Sequence, residues 1–184
     1  MMNFGTEAFN TVIAAVRNEA DFELACRGNV EAIFDLSPDL LTVANRVKRA
    51  HDMGKKLLIH IDLATGIGKD ESGLSYLKRL GVDGIFSTRV NMIRIAHELG
   101  LFTVQRFFIV DSQSISTSME SLKASHADTI EIMPGVVFKV IEELHGKVNV
   151  PIIAGGLIES REEVDCALRC GASAVSTGKA ELWN

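Results

Sequence analysis

The sequence predicts a single-domain α/β fold over residues 1–184: a TIM-like (β/α)8 barrel with short first and last helices. Three observations predict it. An amphipathic helix, a glycine and an apolar strand recur along the chain. The strands are short and apolar enough to be covered on both faces, and glycines follow the last two of them.

The repeat is clearest at Ala50-His51-Asp52-Met53-Gly54 before Leu57, and at Leu77-Lys78-Arg79-Leu80-Gly81 before Gly84. It returns at His97-Glu98-Leu99-Gly100 and at Leu168-Arg169-Cys170-Gly171. Glycine at a helix end takes the left-handed turn without a Cβ clash. Helix-ending glycines at 28, 54, 81, 100, 146 and 171 lie 26, 27, 19, 46 and 25 residues apart. The 46-residue interval holds two units, with Ser125-His126-Ala127 closing one of them without glycine, so the spacing predicts eight.

The predicted strands are Val12–Val16, Ala32–Leu36, Leu57–Leu63, Gly84–Ser87, Phe102–Val110, Thr129–Met133, Pro151–Ala154 and Ala174–Thr177. Between them runs a 3.6-residue apolar period: Leu40, Val43, Ala44, Val47; then Met92, Ile95, Ala96, Leu99; then Val137, Val140, Ile141, Leu144. Ser37-Pro38 reads as an N-cap with proline at the first helical position, and Ser160-Arg161-Glu162-Glu163 as a capping box. The first helix should be truncated and the last barely one turn. Strict alternation implies a parallel sheet. An open doubly wound sheet is disfavoured, since no Gly-x-Gly-x-x-Gly turn follows the first strand.

Composition narrows the class. Hydrophobic residues make up 47% and charged residues 23%, an ordinary globular balance. No apolar run could span a bilayer, and Met1–Gly5 lacks the basic and apolar regions of a signal peptide, so a cytoplasmic protein is expected. Cys26, Cys166 and Cys170 lack metal-ligand spacing and read as buried reduced thiols. No metal or cofactor is expected. The net charge of −5 argues against a non-specific nucleic-acid binder.

Ligands of such barrels bind at the carboxyl ends of the strands. The charged residues there are Arg17, Asp35, Asp62, Arg89, Arg106 and Glu131. Gathered at one end of an apolar barrel, they need each other or a ligand. Gly155-Gly156 and Ser176-Thr177-Gly178 supply what a phosphate needs. The glycines allow close backbone approach, the hydroxyls donate, and Lys179–Trp183 offers a helix start. A Gly156→Asp change should remove phosphate affinity and leave the fold largely intact. His60 reads as filler of the barrel interior, and Arg106 rather than Gln105 as the lumen-facing residue of its strand. Asp62 and Glu131 are open between reading a hydroxylated ligand and pairing with an arginine. No lysine sits inside a strand, so no Schiff base is expected, and no catalytic residue stands out.

Six segments in order carry a likeness to a known family: His60–Ile67, Ser87–Ile93, Gln105–Asp111, Glu131–Val136, Ala154–Ile158, and Ala174–Thr177 with Leu182-Trp183. The chain resembles the bacterial glycerol uptake operon antiterminator regulatory proteins. The resemblance implies a barrel that senses glycerol 3-phosphate and acts on the leader mRNA of glycerol-utilisation operons. It places phosphate on Gly155, Gly156, Ser176 and Thr177, and the glycerol against Asp62, Arg89, Arg106 and Glu131. Gly178 departs from the polar residue expected there.

RNA binding would draw on a basic surface, and the densest basic stretch is Arg46, Lys48, Arg49, Lys55 and Lys56. Its plain alternative is a solvated helix face. Two further readings compete with a non-catalytic regulator. One is a phosphosugar isomerase or aldolase-like barrel using Asp62 or Glu131 as general base. The other is a sensor whose partner is a protein. A homo-oligomer is left open.

Overall fold

Strand and helix alternate without exception along residues 12–184, the residues that the computed structural model describes. The reading of Met1–Gly5 lies outside them. The order is β1 (Val12–Val16), α1 (Glu19–Arg27), β2 (Ala32–Asp35), α2 (Val43–Asp52), β3 (Lys56–His60), α3 (Glu71–Leu80), β4 (Gly84–Ser87) and α4 (Val90–Glu98). It continues with β5 (Phe102–Phe108), α5 (Ser112–Ser125), β6 (Thr129–Met133), α6 (Phe138–His145), β7 (Ile152–Gly155), α7 (Arg161–Arg169) and β8 (Ala174–Thr177). All pairings are parallel between sequence neighbours, and β8 closes onto β1, giving the predicted barrel.

The alternation of side chains along each strand sorts the core into two shells. Ile13, Phe34, Leu58, Phe86, Val104, Ile153 and Ala174 fill the barrel, with Phe34 and Phe86 stacked at 4.5 Å. Ile33, Leu57, Ile59, Ile85, Ile130, Ile132 and Val175 point outward and pack beneath the helices. Strands buried on both faces have little room for polar residues, so each polar one must be paired or must serve a site.

Several local expectations are corrected. The first helix is not truncated: α1 has nine residues, as many as α4 and α7, with Asn18 capping the Asp21 N–H. The last is a single 3-10 turn, Ala180–Leu182. Ser37-Pro38 does not start α2. The chain there is held extended along the loop after β3, Leu40 N–H donating to Thr65 O and Thr65 N–H to Pro38 O. The helix begins only at Val43, and its buried stripe is Val43, Arg46, Val47 and Ala50, while Leu40 and Ala44 are exposed. Strand β3 stops at His60, and Ile61–Leu63 form a 3-10 turn. The capping box at Ser160 and Glu163 is present. His126 takes the left-handed turn that glycine takes elsewhere, with φ 55°.

Cys26 is buried, and burial pushes its thiol up to about 11. Cys166 and Cys170 are only half-buried. No helix among the described residues is long and apolar enough to cross a membrane.

Candidate functional site

A cavity of about 350 Å³ opens at the carboxyl ends of the strands. It gathers Arg17 from the end of β1, Arg106 from β5, Gly156–Glu159 from the β7–α7 loop, and Ser176–Lys179 from the end of β8. Three cationic side chains thus converge on one small space, with Glu159 the carboxylate on its wall. Lys179 Nζ lies 3.5 Å from Glu159 Oε1, and Arg17 makes no ion pair with a described residue. The backbone N–H groups of Gly156, Leu157, Ile158 and Gly178 find no acceptor among the described residues. Free N–H donors beside cations are the makings of an anion site.

Beneath the cavity lies a charged layer set by strand alternation. Arg106 points inward from β5, and its Nε donates to Glu131 Oε2 at 2.6 Å. The second oxygen of Glu131 accepts from Ser176 Oγ, also at 2.6 Å. Glu131 is fully buried. Gly155 makes this possible: a Cβ there would collide with Glu131 Oε1 and sit 2.7 Å from Ser176 Oγ. The guanidinium of Arg106 lies 4.7 Å above the ring of Phe86, with Nη1 at 3.4 Å from His60 Nε2. Its Nη2 donates to no described residue, and the Arg106 side chain lines the cavity.

His60 is the interior residue expected, stacked on Phe86 at 4.7 Å. Since Arg106 can only donate, Nε2 accepts and the proton sits on Nδ1, which is buried without a partner. Burial and the Arg106 charge push the imidazole down to about 4, with Asp62 opposing them. Folded His60 therefore stays neutral, whereas the unfolded side chain takes a proton near its ordinary 6.5. Stability is intact above that value and falls as the pH drops toward 4, by about 3 kcal/mol in all. Urea unfolding followed from neutral pH to 4 should show this loss. A His60→Asn variant should lose that part of the slope, and an unchanged slope would count against this assignment.

The remaining expected residues are distributed differently. Asp35 is corrected outright. It shares the outward face of β2 with Ile33, lies fully buried under α2, and pairs with Arg46 Nη1 at 2.8 Å. Asp62 sits in the 3-10 turn after β3 and does not line the cavity. It accepts from Ser87 Oγ at 2.7 Å, and from Thr88 N–H and Oγ1 at 2.8 and 3.0 Å. Burial would raise its pKa, but these bonds outweigh it and hold the carboxyl below its usual range. Arg89, with Nε 3.6 Å from Asp62, also stays outside the cavity.

The phosphate cradle is also redrawn. Gly155 lies inside β7 and makes room for Glu131 rather than lining the cavity. Both hydroxyls are committed, Ser176 to Glu131 and Thr177 to Ile158 O at 2.7 Å. One 3-10 turn carries almost no dipole. The donors on offer are loop N–H groups, Arg17, Arg106 and Lys179, and Lys179 gave no stronger sequence signal than a lysine following Gly178. Gly156 keeps its place, at φ 76°, where a side chain costs about 1 kcal/mol in backbone strain. Gly156→Asp would therefore lower stability as well.

The basic stretch on α2 does not form one surface. Arg46 is buried between Asp35 and Glu19, Arg49 pairs with Glu23, and Lys48 pairs with Asp52. Lys55 and Lys56 face a larger groove of about 930 Å³ at the opposite, amino-terminal end of the barrel. Its lysines are structural: Lys55 caps Gly28 O, Lys78 caps Leu99 O, and Lys56 pairs with Asp83, which His51 Nε2 also meets at 2.8 Å. No group of three or more His, Cys, Asp or Glu among the described residues could hold a metal ion.

Comparison with known proteins gives this geometry its context. The profile of the family described as glycerol-3-phosphate responsive antiterminator matches residues 12–183. A crystal structure of the glycerol uptake operon antiterminator regulatory protein of Listeria monocytogenes superposes with a TM-score of 0.90 at 32% identity, over 95% of each chain. A related antiterminator-type protein of Thermotoga maritima superposes at 0.85 with 29% identity, over 95% of this chain and 98% of the other. An Escherichia coli K12 protein, YgcP, itself described as uncharacterized, is 37% identical over 95% of this chain and 92% of its own length. The chain belongs to the glycerol-3-phosphate responsive antiterminator family.

Proposed function

We propose that this chain is a non-catalytic cytoplasmic regulator that binds glycerol 3-phosphate, or a similar small phosphate ester, and acts on the leader mRNA of glycerol-utilisation operons. One observation carries the ligand half: Arg17, Arg106 and Lys179 line one small cavity together with four loop residues whose N–H groups find no acceptor among the described residues. The space suits a triose-sized ester, and the cations suit its phosphate. The RNA half rests on the family.

The enzyme reading is the weaker one. A general base must reach the proton it removes and have a pKa near the working pH. Glu131 is buried with both oxygens bonded, and Asp62 lies outside the cavity with its pKa held low. Neither is poised for proton transfer.

Gel shifts with a glycerol-operon leader RNA, with and without glycerol 3-phosphate and at two salt concentrations, test the proposal. It expects a ligand-dependent, salt-sensitive shift with the ligand recovered unchanged. An absent shift would favour a protein partner, and turnover of the ligand would restore the enzyme. Lys179→Ala should weaken ligand affinity about tenfold, the size of one exposed charge contact. Isothermal titration of that variant checks it.

A further inference from the structure

We propose that Glu159 reads the hydroxyl groups of the bound ester, and so makes the cavity selective for a polyol phosphate over esters without hydroxyls. This role rests on the cavity being a phosphate-ester site and concerns the other end of the ligand.

A hydroxyl donates as well as accepts, so a site that tells glycerol 3-phosphate from a plain alkyl phosphate must present an acceptor. The polar groups lining this cavity are mostly donors: Arg17, Arg106, Lys179 and the loop N–H groups. The carboxylates that the resemblance offers for the glycerol are committed elsewhere. Asp62 does not line the cavity and is tied to Ser87 and Thr88. Glu131 is fully buried, with one oxygen on Arg106 and the other on Ser176. Ser176 and Thr177 give their hydroxyl protons to Glu131 and Ile158 O, and Thr177 Oγ1 already accepts from Lys179 N–H at 3.1 Å. That leaves Ser176 Oγ as a neutral acceptor and Glu159 as the one carboxylate among the described residues lining the cavity.

The fold fixes where Glu159 stands. Ile158 O accepts from Thr177 Oγ1 at 2.7 Å, and Glu159 N–H donates to Glu163 Oε2, also at 2.7 Å. Ser160 N–H donates to the same oxygen at 3.1 Å. The peptide groups on either side of the Glu159 Cα are thus bonded to β8 and to the first turn of α7. The side chain itself is less engaged. Its Oε1 lies 3.5 Å from Lys179 Nζ, and its Oε2 bonds no described residue. The ester is three carbons long and the cavity small, so an ester held by its phosphate keeps its hydroxyls within side-chain reach of Glu159.

The carboxylate also acts against the phosphate. A negative charge on the wall of an anion site repels every phosphate alike. Only a ligand with hydroxyls to donate offsets that repulsion, through charge-assisted hydrogen bonds. Selectivity built this way uses a repulsive element together with an attractive one.

Calorimetric titration of the full chain with glycerol 3-phosphate and with propyl phosphate tests this. The second ester has the same charge and chain length and no hydroxyl. Wild type should bind glycerol 3-phosphate about tenfold more tightly than propyl phosphate. Glu159→Ala should bring the two affinities close together, with propyl phosphate bound more tightly than by wild type because only repulsion is lost. Glu159→Gln, which keeps a neutral acceptor, should fall between. The side chain is exposed and bonds only Lys179 among the described residues, so both variants should melt as wild type does. If Glu159 merely steered Lys179, both affinities would move together and their ratio would stay, which would overturn the proposal. A wild type that binds the two esters equally would overturn it as well. In both cases the esters still bind, and the phosphate site stands. Binding of neither ester at millimolar concentration would overturn the phosphate site, and the role of Glu159 with it.

Discussion

Glu131→Gln is expected to lower the unfolding free energy by about 3 to 5 kcal/mol, although Gln matches Glu in size. The wild-type carboxylate sits fully buried between Arg106 and Ser176. Removing its charge leaves Arg106 beneath the pocket with Phe86 and a neutral His60 as neighbours, and no counter-ion. A buried charge stripped of its partner carries most of its desolvation penalty, whereas the intact pair contributes little net. Glu131→Leu/Arg106→Met, which removes both charges, should therefore recover most of the loss. Urea unfolding of the variants checks this, and a Glu131→Gln loss below about 1 kcal/mol would show that Arg106 reaches water. A bound phosphate can replace the lost charge, so glycerol 3-phosphate should stabilise Glu131→Gln more than wild type.

Gly155→Ala should cost about 4 kcal/mol, where a glycine-to-alanine change in ordinary extended backbone is mildly stabilising. The new methyl would occupy the space where Glu131 Oε1 and Ser176 Oγ meet. Overpacking accounts for up to about 3 kcal/mol, and the broken hydrogen bond for about 1 more. Ser176→Ala removes only the hydrogen bond and should cost about 1 to 2 kcal/mol. Thermal or urea unfolding of the two variants would reveal the ranking. A Gly155→Ala protein as stable as wild type would mean that the Glu131 carboxylate is not held where it appears.

The barrel was legible because its repeat is a local property. Helix-ending glycines at 54, 81, 100 and 171 do take positive φ, and the Ser160 box caps α7 as its spacing implies. Gly28 and Gly146 end their helices at negative φ, so the count survived where the mechanism differed. The site was less legible because it depends on which side of a strand a residue faces. Arg106 faces inward, as the apolar residues after it predict. Asp35 does not, because in β2 the inward positions are Ala32 and Phe34 and a one-residue offset sends the carboxylate to Arg46. Gly155 and Ser176 belong to the site for a reason no motif carries, namely that Glu131, distant in sequence, needs the space and the hydroxyl. The stretch from Arg46 to Lys56 looked like one patch only because spacing does not record the partners Asp35, Glu23 and Asp83.

Under the proposed function, Arg17, Arg106, Lys179 and the loops after β7 and β8 hold a phosphate. Calorimetric titration of glycerol 3-phosphate into wild type, Arg17→Ala and Arg17→Ala/Lys179→Ala tests it most directly, with glycerol as the control. Wild type should bind the ester and not glycerol, with affinity falling about tenfold at each substitution. No binding at millimolar ester, or equal affinity in all three proteins, would contradict it.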